Sequence, residues 1–211
     1  MKVNEIFLSI QGESTWQGMP SVFVRLSGCN LRCRYCDTAY AYDKGEELPV
    51  EEVERRIRQY PCTRVEITGG EPLLQEDCFD LASKLVAAGY EVLVETNGTV
   101  DISRLDRGVV KIIDIKCPGS GFSNEVMWKN LDVLGDRDEI KFVISSREDY
   151  EWARGVIEKR SLNDRNTVLL SPNFDLLQPR ELAAWILEDG LNVRLNIQLH
   201  KYIWDPDERA R

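Results

Sequence analysis

Val22-Phe23-Val24-Arg25-Leu26-Ser27-Gly28-Cys29-Asn30-Leu31-Arg32-Cys33-Arg34-Tyr35-Cys36-Asp37 joins an apolar run to a cluster of thiols. Residues 22–26 are mostly β-branched or large apolar, which suits a strand buried in a sheet, with Arg25 as the one charged interruption. Ser27-Gly28 ends the run, and the cysteines follow in a CxxxCxxC spacing. Parallel sheets collect ligands in the loops at the carboxyl ends of their strands, so thiols placed just past a buried run mark a site as well as a fold.

Apolar runs recur at 64–68, 90–95, 109–115, 139–144, 167–170 and 193–199. Helix-like stretches lie between them, among them 50–60, with Pro49 suited to a first turn, and 76–88, stopped by Gly89. The alternation is that of an α/β fold built on a largely parallel sheet, either open or closed into a partial or complete barrel. There is no repeat, low-complexity tract or linker, so 1–211 is expected to form one domain, with 205–211 a charged, solvated tail.

The chain has 211 residues, 27 Lys plus Arg and 36 Asp plus Glu, and a formal charge of −9, which excludes a broad basic face for nucleic acid. No apolar run approaches the roughly 20 residues that span a bilayer, and the first residues carry no signal-peptide core. The expectation is a cytoplasmic protein without nucleic-acid or membrane partners. The single histidine, His200, rules out sites that need two imidazoles. The six cysteines are three clustered and three scattered (Cys62, Cys78, Cys117), unlike a disulfide framework. Three close thiolates can ligate three irons of a four-iron cluster and leave the fourth open, whereas four are usual in pure electron carriers. A structural zinc site, borrowing His200, Asp37 or a distant cysteine, and unliganded thiols are the alternatives.

The cysteine motif, with Tyr35 before its last cysteine, resembles that of the radical S-adenosylmethionine enzymes, and Thr68-Gly69-Gly70-Glu71-Pro72 resembles their GGEP cofactor motif. Ser9-Ile10-Gln11-Gly12-Glu13, 23–29, Cys36-Asp37-Thr38, Glu95-Thr96-Asn97-Gly98-Thr99 and Leu199-His200-Lys201-Tyr202 extend the resemblance over nearly the whole chain, and narrow it to the 7-carboxy-7-deazaguanine synthase family. The resemblance implies a partial or modified (β/α)6 TIM-like barrel. It implies a lyase that contracts the ring of 6-carboxy-5,6,7,8-tetrahydropterin to 7-carboxy-7-deazaguanine with release of ammonia, on the route to queuosine. A [4Fe–4S] cluster on Cys29, Cys33 and Cys36 would reduce S-adenosylmethionine to a 5′-deoxyadenosyl radical, which takes hydrogen from C6 of the pterin. The resemblance further implies Mg2+, a homodimer and an external one-electron reductant such as flavodoxin.

Carried over residue by residue, the resemblance assigns Thr38 to magnesium and Gly70, Asp114-Ile115-Lys116 and Ser171-Pro172-Asn173-Phe174 to S-adenosylmethionine. Asp114-Ile115-Lys116 departs from the Ser-Pro-Lys form of some members. Ile10, Gln11, Gly12, Glu13, Arg25, Thr68 and His200 are assigned to the substrate. The residues themselves allow plainer roles. Gly69-Gly70 can expose amides to a cofactor or make a tight turn, and Glu71-Pro72 can cap the following helix. Asp37-Thr38 can cap a turn, while Arg25 can meet a carboxylate or lie on an exposed strand face. A glycyl-radical-enzyme activase shares the cysteine spacing but lacks the companion motifs. An iron–sulfur electron-transfer module would not need GGEP.

Overall fold

In the computed structural model, which describes residues 1–206 and 208–210, the apolar runs become strands of one sheet. Positions 207 and 211 of the expected tail lie outside the described residues. In chain order the elements are β1 (Lys2–Ile10), β2 (Pro20–Leu26), β3 (Glu46–Glu47), α1 (Val50–Ile57), β4 (Arg64–Gly69), α2 (Asp77–Ala87), β5 (Glu91–Thr96), β6 (Val110–Ile115), β7 (Glu139–Ile144), α3 (Arg147–Arg160), β8 (Thr167–Pro172), α4 (Pro179–Asp189), β9 (Arg194–Leu195) and α5 (His200–Ile203).

The nine strands lie in the order β3-β1-β2-β4-β5-β6-β7-β8-β9. From β2 through β9 every pairing is parallel, while β1 runs antiparallel to β2 and β3 antiparallel to β1. Two differences from the sequence reading follow from composition. β1 mixes polar and apolar residues around an irregularity between Val3 and Glu5, so its hydrophobic period is blurred. The run 193–199 pairs only at Arg194–Leu195, as an edge strand can. The connections from β5 to β6 and from β6 to β7 carry short 3-10 turns, so α1 to α4 form the helical layer of a partial barrel.

Side chains alternate along each parallel strand between two unlike environments. Val22, Val24, Leu26, Val65, Ile67, Val92, Val94, Ile113, Ile115, Phe142, Ile144, Val168 and Leu170 are buried in one core with Val53 and Ile57 of α1, Leu81 and Leu85 of α2, and Ala153 and Ile157 of α3. The opposite face carries Arg25, Glu66, Thr68, Glu95, Asp114, Lys141 and Ser171, all lining one cavity. Six strands can surround a single cavity only if the sheet curls around it. The amino-terminal part of this inner face is closed by Leu93, Val110 and Ile112, against which Trp16 packs.

Cap chemistry sets the helix ends. Ser146 accepts the amide of Asp149 at the start of α3, and Gln178 forms a capping box with Glu181 ahead of Pro179 in α4. Gly190 ends α4 in the left-handed region at φ 59°.

The glycines after β4 serve the packing. A Cβ on Gly70 would clash with the Gly28 carbonyl and come within 2.7 Å of the Cys29 Cβ. Exposed Gly155 on α3 has open space around its Cβ position. Gly70→Ala should cost about 1–3 kcal/mol, which at about 2–4 °C per kcal/mol lowers the melting temperature by several degrees. Gly155→Ala should raise it slightly, by removing helix-interior glycine entropy. Thermal melts of both variants check the pair, and wild-type melting of Gly70→Ala would show that this approach is not sterically limited.

Candidate active site

The end of β2 and the end of β4 meet at the mouth of the inner cavity. Gly70 N donates to Leu26 O at 3.2 Å and Glu71 N to Gly28 O at 2.8 Å, while Gly28, at φ 94°, turns the chain into the cysteine loop. The glycine amide read from sequence as available to a ligand is therefore spent on joining two strand ends. Glu71 is fully buried beneath them and accepts from Leu73 N (3.0 Å), Thr96 Oγ1 (2.8 Å) and Asn97 N (2.6 Å). Its carboxylate is a brace and does not line the cavity.

Cys29, Cys33 and Cys36 are free, half-buried and all on the cavity wall, whereas Cys78 and Cys117 are buried and Cys62 lies apart. Burial pushes the Cys29 and Cys33 thiols up, so metal binding must displace their protons. Among the described residues no three His, Cys, Asp or Glu side chains are drawn together around one point. Three thiols spread around one cavity suit separate irons of a cluster. The loop is held by Arg34 N donating to Ser120 O at 3.2 Å. Asn97 Nδ2 reaches Asn30 Oδ1 at 3.0 Å and lies 4.0 Å from Cys29 Sγ.

The cavity, of about 560 Å³, gathers nearly every residue singled out from sequence: Ile10, Gln11, Gly12, Glu13, Arg25, Thr38, Thr68, Gly70, Asp114, Lys116, Ser171, Pro172, Asn173, Phe174 and His200 join the cysteines on its wall. The exception is Ile115, whose side chain is in the apolar core because strand alternation turns it away from Asp114 and Lys116. Lys116 pairs with Asp114 at 2.8 Å. Ser171 Oγ accepts from Asn196 at 2.8 Å. Thr38 makes no cap hydrogen bond, and its hydroxyl donates to Asp37 at 3.0 Å. His200 packs where a side chain on Gly12 would stand, and burial lowers its pKa, leaving a neutral imidazole at pH 7. Pro206, Glu208, Arg209 and Ala210 also line the cavity, with the Arg209 guanidinium 4.1 Å from the Tyr40 ring centroid.

Sequence reasoning named Glu13 and Arg25 on the cavity floor but missed the charges that hold them, Glu5, Glu66, Glu95 and Lys141. Lys141 donates to Glu13 at 2.5 Å and to Glu95 at 2.6 Å, all deeply set. Glu66 accepts the Gln11 side-chain amide, and Gln11 Oε1 in turn accepts the Glu13 amide at 2.9 Å. Arg25 donates through Nε to Glu5 at 2.7 Å, and Glu5 also accepts the Tyr40 hydroxyl at 2.9 Å. The available signal was a charged residue in the middle of a buried strand run, as in Val65-Glu66-Ile67 and Ile140-Lys141-Phe142, because an unpaired charge there is costly.

A partial barrel with three thiols at the carboxyl ends of its parallel strands defines a radical S-adenosylmethionine enzyme, and the Radical SAM superfamily profile matches residues 23–116. The chain belongs to the 7-carboxy-7-deazaguanine synthase family. It is 44% identical over its full length to the 7-carboxy-7-deazaguanine synthase of Koribacter versatilis, covering all of that protein, and 43% identical to that of Chlorobaculum tepidum, covering 97% of it. Its fold matches the crystal structure of QueE from Escherichia coli with a TM-score of 0.77 and 25% identity, over 94% of both chains. Membership makes a [4Fe–4S] cluster and S-adenosylmethionine its cofactors.

The floor also sets a pH dependence. Burial first, then the neighbouring Glu95 and Glu13 carboxylates, raises the Glu66 pKa well above 4.5. A carboxyl that binds its proton more tightly when folded loses stability as pH rises through and above its unfolded value, by about 1.4 kcal/mol per unit of upshift. Glu66→Gln, which keeps an acceptor for Gln11, should match wild type at pH 4 and melt higher at pH 8. A variant melting at or below wild type at pH 8 would contradict a neutral-preferring Glu66.

Proposed function

We propose that the enzyme converts 6-carboxy-5,6,7,8-tetrahydropterin to 7-carboxy-7-deazaguanine with release of ammonia, in 7-deazapurine (queuosine) biosynthesis. The observation that carries this reading is one cavity holding both the three thiols and a floor of paired charges suited to a small, polar, carboxylated heterocycle. Cys29, Cys33 and Cys36 would hold the cluster. Gly70, Asp114-Ile115-Lys116 and Ser171-Pro172-Asn173-Phe174 would hold S-adenosylmethionine, with Ile115 contributing backbone alone. When bound, the pair supplies one-electron reduction and a carbon radical able to take hydrogen from C6 of the substrate.

The chain's own residues bind and orient. Arg25 is held in place by Glu5 through its Nε, which leaves its terminal nitrogens for the substrate carboxylate. Gln11, fixed from both ends by Glu66 and the Glu13 amide, presents an oriented side chain beside Ile10 and Gly12. Glu13, kept beside the Lys141 ammonium, can accept from the N–H groups of the aminopyrimidine edge. Thr68 lies next to Arg25 in the strand register, and neutral His200 closes the side formed by Gly12. Thr38 would ligate Mg2+, an ion that takes few protein ligands and keeps waters or substrate oxygens. The same reading makes 1–211 a single domain and the active unit a cytoplasmic homodimer reduced by an external donor such as flavodoxin. Six free cysteines agree with a reducing compartment.

Anaerobic reconstitution, reduction with dithionite and supply of S-adenosylmethionine, Mg2+ and the carboxypterin should yield 7-carboxy-7-deazaguanine. Cys33→Ala should abolish iron incorporation and turnover, whereas Cys78→Ala leaves both. Product absent while S-adenosylmethionine binds the cluster would overturn the assigned reaction, and equal losses in the two variants would undo the assignment of the cysteines. Thr38→Val should leave cluster content intact and raise the Mg2+ needed for half-maximal turnover by about tenfold, while an unchanged Mg2+ response would remove Thr38 from the metal.

A further inference from the structure

The β1–β2 hairpin carries Ile10, Gln11, Gly12 and Glu13, the residues assigned to the substrate, and the three residues after Ser14 fasten it to three different walls of the barrel. Thr15 donates to Glu139 of β7 through its amide, at 3.2 Å and 3.3 Å to the two carboxylate oxygens, and through its hydroxyl. Trp16 packs against Leu93, Val110 and Ile112 below the cavity. Gln17 Nε2 donates to Gly12 O at 3.0 Å and to Ile197 O at 2.8 Å, which ties the hairpin to the segment following β9, the strand at the other end of the sheet. All three side chains lie off the cavity wall.

The fastening is matched to a strained turn. Ser14 is buried at φ 63°, a left-handed conformation that costs an L residue energy and persists only where its surroundings enforce it. Its side-chain oxygen accepts Trp16 N at 2.9 Å. On either side, two successive inward positions of β7 take two alternate hairpin residues: Lys141 holds Glu13, and Glu139 holds Thr15. Glu139 is only 1% exposed, so its carboxylate has little water to turn to if Thr15 lets go. The turn at Ser14 thus sends Glu13 into the cavity and Trp16 beneath it, and the pins on both sides keep it there.

We propose that Thr15 and Trp16 are positioning residues for the substrate: with Glu139 they hold the hairpin so that Gln11 and Glu13 meet the heterocycle in a preset arrangement. The proposal rests on the reading of residues 10–13 as substrate contacts. A hairpin released from Glu139 and the apolar floor visits conformations in which Gln11 and Glu13 are misplaced, and the apparent substrate affinity falls by the fraction of time spent in the competent one. Saturating substrate draws the hairpin back to that conformation, so turnover at saturation changes little. The cofactor is assigned to the carboxyl ends of β4, β6 and β8, at the opposite end of the barrel from Trp16, and its binding does not depend on these anchors.

The test uses reconstituted, reduced holoenzyme with S-adenosylmethionine and Mg2+, and follows initial rates against the carboxypterin. Thr15 is exposed, so Thr15→Val removes the hydroxyl donor at an unchanged shape without opening the core. It should raise KM about tenfold, as a competent fraction cut to about a tenth requires, with kcat within about twofold of wild type. Thr15→Ser, which restores the hydroxyl, should return KM to the wild-type range. Trp16→Ala should raise KM as well, and Trp16→Phe less. In Thr15→Val the iron content, and the S-adenosylmethionine concentration that half-perturbs the EPR signal of the reduced cluster, should match wild type, whereas a general loosening of the fold would move both. Without substrate, hydrogen exchange of a peptide covering residues 10–19 should quicken in Thr15→Val while that of one covering 64–72 does not. An unchanged KM, an unchanged exchange rate, a loss confined to kcat, an equal rise of KM in Thr15→Ser, or a cofactor affinity that falls in step with KM would overturn the positioning role. A wild-type enzyme that cleaves S-adenosylmethionine yet makes no product from the carboxypterin overturns the substrate reading instead, and the exchange measurement still decides whether Thr15 pins the hairpin.

Discussion

Backbone contact between the ends of β2 and β4 is the constraint on which the site depends. Two hydrogen bonds, Gly70 N to Leu26 O and Glu71 N to Gly28 O, pull together segments about 40 positions apart, and the missing Cβ of Gly70 permits the distance. Glu71 secures the junction from below by accepting from β5 through Thr96 and Asn97. Burial drives its carboxyl up to about 7 even against three donors, a sign of how dry the junction is. Asn97 then carries the tie to Asn30 in the cysteine loop. Two motifs that the chain writes separately are, in space, one wall.

The inner face of the sheet is polar where the outer face is apolar, and the two have different purposes. Outward residues such as Val24, Ile67, Val94 and Phe142 supply the burial that stabilises the fold. Inward residues work against it. Lys141, Glu13, Glu95 and Glu66 are desolvated together, and buried ion pairs of this kind seldom repay their desolvation with net stability. Their retention makes sense as a preorganised polar surface for a substrate that brings its own hydrogen-bonding edge and carboxylate.

Much of this was legible in the sequence because its signals are local. Apolar runs located β2 and β4 to β8, and the three cysteines, Thr68-Gly69-Gly70 and Ser171-Pro172-Asn173-Phe174 all fall at strand ends on the cavity. Non-local features were not legible. β1 is polar in alternation and irregular, and β3 is two residues long, so neither carries a period. The Glu13–Lys141 pair spans 128 positions, and nothing near either residue announces the other. The Gly70 amide, read from sequence as open to a cofactor, is committed to a strand-end bond, a distinction visible only once β2 and β4 are neighbours.

The account rests on three thiolates holding a four-iron cluster with one iron left to the cofactor. Mössbauer spectroscopy of the enzyme reconstituted with 57Fe, before and after adding S-adenosylmethionine, tests this most directly. About four irons per chain are predicted, one of which changes its spectrum on cofactor addition while the others keep thiolate-ligated signatures. A single metal ion per chain, or a cluster whose irons are all indifferent to S-adenosylmethionine, would contradict it.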